Sequence, residues 1–105
     1  MATMVGTTVS SMEEAKVIAN ACVTNGIAAC AHIDEIKSMF FWDGEVQDET
    51  EYRVFLKTSD ASYDDVAATI NKHHSYDEPA IFCIPITHGS ATYLKWIDDN
   101  SKRAT

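Results

Sequence analysis

The chain has 105 residues, a formal net charge of −8, 46% hydrophobic and 23% charged residues, and three cysteines. That length makes one domain, residues 1–105, with enough buried surface for a core that needs no disulfide staples. Eight basic residues against sixteen acidic ones leave no Lys/Arg stripe for a phosphate backbone, and no apolar run approaches the ~18 residues that cross a bilayer, which argues against nucleic acid and membrane as partners.

Met4 to Val9 is rich in Val and Thr and is expected to be a first strand. Ser11-Met12-Glu13-Glu14 carries the S-x-x-E capping box, Ala15, Ile18, Ala19 and Cys22 recur at helical spacing, and Asn25-Gly26 is a C-terminal stop. These signals predict a helix over Met12 to Thr24. Ile27 to Trp42 returns to strand composition, with Asp34 and Glu35 in its middle suggesting a bend or bulge. Asp43-Gly44 is a two-residue hairpin signal, and Glu45 to Thr58 is the return strand. Its end alternates Tyr52, Val54 and Leu56 on one side with Arg53, Phe55 and Lys57 on the other.

Ser59 to Ser62 offers several helix caps ahead of Val66, Ala67, Ile70 and His74 at helical spacing. Pro79 ends that helix, and Ala80 to Thr87, with Ile81, Phe82, Cys83, Ile84 and Ile86, reads as a buried strand. His88-Gly89 is a turn, and Ser90 caps a last helix holding Tyr93, Leu94, Trp96 and Ile97. The order β-α-β-β-α-β with an added C-terminal helix predicts an α+β, ferredoxin-like fold with a long central hairpin. Met39-Phe40-Phe41-Trp42 places four large apolar side chains in a row. Alternate ones point to opposite faces, so they cannot all reach one small core, and a homo-oligomer is the natural cover.

Cys22, Cys30 and Cys83 are odd in number and lack metal-finger spacing, which fits reduced thiols and a cytosolic compartment. The N-terminus has neither a basic n-region nor an apolar h-region, so a cytoplasmic protein without a signal peptide is expected.

Ala28-Ala29-Cys30, Ser38 to Gly44, the acidic pair Glu49 and Glu51, Leu56-Lys57-Thr58, His73-His74-Ser75-Tyr76-Asp77-Glu78-Pro79, Pro85, Gly89 and Tyr93 to Ile97 come in an order that resembles the CutA family, the divalent-cation tolerance proteins. The likeness runs from about Val5 to Asp98. It implies a ferredoxin-like homotrimer whose hairpins exchange sheet edges, like the regulatory PII proteins. It also implies a role in tolerance of copper or other divalent ions for bacterial members, and anchoring of acetylcholinesterase for animal ones. The copper ligands proposed for bacterial members are a Cys at the end of the first strand and a His pair. His73 and His74 match the pair here, whereas Thr7 occupies the Cys position. Ser75 and Ala80 are two further departures, where the family usually has Pro and Glu.

Imidazole suits copper and related ions, whereas a threonine hydroxyl is a poor ligand for them. The plain structural alternative is that the two histidines cap the helix end. A second constellation, Trp42, Glu49, Glu51, Lys57, Tyr76 and His74, offers a cation, carboxylates, a phenol and an indole to a small, anionic ligand or partner segment in a subunit cleft. Its structural alternative is that Lys57 pairs with an acid and Trp42 fills an interface. Cys30 with a histidine lacks an orienting acid, so no catalytic residues and no enzyme activity are expected. Asp43, Glu45, Asp48, Glu49 and Glu51 lack EF-hand spacing and read as a solvated acidic face.

Overall fold

Two split β-α-β units interleave to form one sheet. The computed structural model describes residues 1–101. Its elements are β1 (Ala2–Val9), α1 (Met12–Thr24), β2 (Cys30–Trp42), β3 (Glu45–Ser59), α2 (Tyr63–His73), β4 (Phe82–Pro85) and α3 (Ala91–Asn100), with a 3-10 turn at Asp60–Ser62 leading into α2. The strands lie in the order β2-β3-β1-β4, each antiparallel to its neighbour. This is the α+β, ferredoxin-like arrangement that the sequence predicts.

The ends of α1 follow from its caps. Ser11 Oγ accepts the Glu14 N–H at 3.1 Å. The reciprocal half of the capping box does not form, because the Glu14 carboxylate instead takes the Ser75 N–H at 3.1 Å. At the other end Gly26, at φ 77°, lets the Ile27 N–H reach the Cys22 carbonyl at 3.1 Å and its own N–H reach the Val23 carbonyl at 3.2 Å. Those two bonds are the Schellman pattern that glycine at this position allows.

Period-two alternation then builds the core. Val5, Val9, Val54 and Leu56 on one sheet face meet Ala15, Ile18 and Cys22 of α1 and Val66 and Ile70 of α2, all fully buried. A smaller cluster holds Ile97 of α3 against Ala2 and Ala29.

The hairpin carries a correction. Its ladder runs unbroken from Cys30 opposite Lys57 to Trp42 opposite Glu45, with no bulge at Asp34 or Glu35. Asp34 lies opposite Arg53, and their side chains form an ion pair at 2.8 Å. That cross-strand pair accommodates the charge without breaking the ladder. Asp43 and Gly44 both have positive φ, 53° and 80°, as a type I′ turn requires. Because β1 pairs with only the Tyr52–Ser59 part of β3, the rest of the hairpin projects as a two-stranded arm. Met39, Phe41, Trp42 and Val46 on it are 57–73% exposed.

A second correction concerns β4. The expected buried strand from Ala80 to Thr87 is only Phe82–Pro85, and Phe82 and Ile84 are 41% and 42% exposed. It is an edge strand, so composition alone overstated its cover. Phe82 closes over Gly6, where a Cβ would come within 2.5 Å of its ring, and meets Phe55 edge-on with centroids 6.4 Å apart.

Candidate functional site

Where α2 ends, the two adjacent histidines part company. His73 is the last helical residue, while His74 has extended backbone angles, φ −81° and ψ 137°. The His74 side chain is completely buried. Its Nε2 lies 2.8 Å from the Thr8 carbonyl, and its Nδ1 accepts the Tyr76 N–H at 3.2 Å. An occupied acceptor at Nδ1 places the proton on Nε2, so the ring is the neutral tautomer that donates to Thr8. Glu14 Oε2 stands 3.5 Å from Nδ1. His73 is half-buried, and its side chain hydrogen-bonds to no described residue.

Thr7 lies opposite Val54 in the ladder and is fully buried. Its Oγ1 has no hydrogen-bond partner among the described residues. No three His, Cys, Asp or Glu side chains among those residues are grouped so as to hold a metal ion. One chain therefore offers a single uncommitted imidazole at His73 and a second, His74, already bonded at both nitrogens.

Beyond His74 the chain crosses to the hairpin arm. The Tyr76 ring lies against the His74 ring, centroids 4.8 Å apart, and its hydroxyl donates to Glu51 Oε2 at 2.8 Å. Glu51 is only 4% exposed. Burial first, then this bond and the charges of Glu51, Glu49 and Glu14, hold the Tyr76 phenol well above the ordinary tyrosine range, so it stays a donor. Tyr76 and Glu51 border a cleft of about 460 Å³, whose walls also include Phe40, Trp42, Glu49, Asp77 and Glu78.

The cleft thus unites Trp42, Glu49, Glu51 and Tyr76, as the sequence suggests, with His74 behind Tyr76. Lys57 is not part of it. Its Nζ donates to the Tyr93 hydroxyl at 2.9 Å and lies 5.2 Å from the centre of that ring. Neither the cleft nor an acidic partner claims this lysine, because α3 brings Tyr93 to it first. Of the acidic run, Asp43, Glu45 and Asp48 stay exposed on the arm while Glu49 and Glu51 line the cleft. Asp77 and Glu78 were not singled out from the sequence as cleft residues, and Phe40 was visible only as one of four aromatic or apolar neighbours. Phe40 shares the strand face of Trp42 by simple alternation, which is the signal that could have found it. Cys22 is buried, which pushes its thiol up to about 11 and leaves it inert.

A family model described as CutA1 divalent ion tolerance protein matches residues 3–100. The chain belongs to the CutA1 family. It is 38% identical over 92 residues to the divalent-cation tolerance protein CutA of Archaeoglobus fulgidus, covering 88% of this chain and 90% of that protein. It is 34% identical over 96 residues to the chloroplastic protein CutA of Arabidopsis thaliana, covering 90% of this chain but 53% of the plant protein. A solved structure of the periplasmic divalent cation tolerance protein CutA from Archaeoglobus fulgidus superposes with a TM-score of 0.93 at 35% identity, covering 97% of this chain and 100% of that one. No helix among the described residues is long and apolar enough to cross a membrane.

Proposed function

We propose that the chain is a non-enzymatic divalent-cation tolerance protein that acts as a homotrimer and takes copper or another divalent ion through His73 and His74. The family supports the cation role, and the observation that carries the ligand assignment is the end of α2. His73 has no partner there, and His74 is held by a bond from Nε2 to the Thr8 carbonyl. A ring held through one nitrogen by a carbonyl is oriented to ligate through the other. Entry of an ion at Nδ1 would displace the Tyr76 N–H, 3.2 Å away. Since two imidazoles leave coordination positions unfilled, the remaining ligands would come from another subunit, which ties metal binding to assembly. The exposed Met39, Phe41 and Val46, on the arm face opposite the cleft, are the surface that assembly would bury. The free state of Cys22, Cys30 and Cys83 fits a reducing compartment such as the cytoplasm.

Calorimetric titration of metal-free protein with Cu²⁺ tests the assignment. Saturable binding is expected, and His73→Ala with His74→Ala should remove it. Removing the buried His74 ring endangers the fold, so His73→Ala alone is the cleaner variant and should weaken binding with an unchanged unfolding midpoint. Full binding in the double variant would sink the assignment.

A second reading, a PII-like module that binds a small ligand in the cleft, is favoured by the buried Glu51–Tyr76 pair lining that space.

A further inference from the structure

We infer that the cleft between the hairpin arm and the segment after α2 takes an extended organic cation, a diamine or polyamine; the inference rests on the second reading above. Charge comes first. Four acidic residues, Glu49, Glu51, Asp77 and Glu78, line the cleft and no Lys or Arg among the described residues does, so an anionic ligand would meet repulsion on entry.

Size and spacing then separate an organic cation from a metal ion. The cleft holds about 460 Å³, and no three acidic, histidine or cysteine side chains among the described residues converge on one point. Dispersed carboxylates suit several ammonium groups spread along one molecule, each with up to three N–H donors. The rings of Phe40, Trp42 and Tyr76 supply what the methylene stem of such a molecule needs, with cation–π attraction for an ammonium that passes over a face.

Glu51 points to the same occupant. It is 4% exposed, and Tyr76 satisfies only its Oε2. Its other oxygen bonds to no described residue and is not fully buried, and Glu51 lines the cleft. That oxygen has room for a further donor, and an ammonium group placed there makes a charge-assisted hydrogen bond to it.

Calorimetric titration of the full chain with spermidine, with metal excluded, tests the inference. Saturable binding is expected, weakened by added salt. Glu51→Gln, which retains an acceptor for Tyr76, and Glu49→Gln should each weaken it by about tenfold or more. Asp43→Asn and Asp48→Asn, on the arm outside the cleft, should leave it unchanged. Equal losses in all four variants would mean attraction to the acidic surface at large and would overturn the inference. Absence of spermidine binding alongside saturable binding of an anionic probe, such as ADP, sensitive to Trp42→Phe would overturn the cation assignment while keeping a ligand-binding cleft. Binding of neither probe would overturn both.

Discussion

Tyr76→Phe isolates one bond at the centre of the site. It deletes the hydroxyl that donates to Glu51 Oε2 at 2.8 Å and leaves a carboxylate that is 4% exposed without a protein donor. A hydrogen bond to a charged group contributes about 1.5–3 kcal/mol. Because the second Glu51 oxygen is not fully buried and the residue lines the cleft, water can take over part of the deleted bond. The loss should therefore sit at the lower end, about 1.5–2 kcal/mol. Urea unfolding at fixed protein concentration and neutral pH should show it as a lowered midpoint with an unchanged slope. The pH dependence follows from the raised pKa of the Tyr76 phenol. A group whose folded pKa lies above its unfolded value contributes its full stability below the unfolded pKa and loses it as pH rises towards the folded one. The wild-type protein should thus lose stability above about pH 10, and its advantage over Tyr76→Phe should narrow there. Equal midpoints at neutral pH, or an advantage that grows with alkalinity, would refute the reasoning.

Other outcomes follow from single residues elsewhere. Gly6→Ala puts a Cβ 2.5 Å from Phe82 Cζ, and displacing that ring from Phe55 should cost about 1–3 kcal/mol by thermal unfolding. Ser11→Ala removes the side-chain cap of α1 and should cost about 1 kcal/mol in the same assay. Arg53→Ala breaks an ion pair whose side chains are 41% and 51% exposed, so its effect should stay within about 1 kcal/mol and shrink in salt. Under a thiol alkylating reagent at mildly alkaline pH, Cys83, which is exposed, should react well before Cys22, which is buried with its thiol pushed up to about 11.

Sequence signals were strongest where chemistry is local. Ser11 and Asn25-Gly26 mark the ends of α1 because caps act within a few residues, and Asp43-Gly44 marks the turn because both residues tolerate positive φ. That turn also fixes the register, which places Arg53 opposite Asp34. Asp34, a sign of a bulge by composition, is paired with Arg53 across the strands, and counting outwards from the turn gives that pairing. Cover is harder to read. Ile81 to Ile86 encodes apolar strand character, but not that β4 would be a four-residue edge with Phe82 and Ile84 half open. The site was legible in part for the same reason. Trp42, Glu49 and Glu51 share the arm, and Tyr76 follows the histidine pair, yet the acceptor that holds His74 is the backbone carbonyl of Thr8, which leaves no mark in a sequence. Within one chain Lys57 meets Tyr93 rather than the cleft, because α3 docks through the small Ala2–Ala29–Ile97 cluster, a contact that sequence spacing does not reveal.

The proposal that metal binding and assembly belong together is tested most directly by native mass spectrometry of metal-free protein before and after addition of Cu²⁺. The account expects a species of three times the 11.6 kDa chain mass that gains a small, discrete number of copper ions, with the gain lost in His73→Ala combined with His74→Ala. A stable monomer, or a trimer that takes up copper equally well without the two histidines, would contradict it.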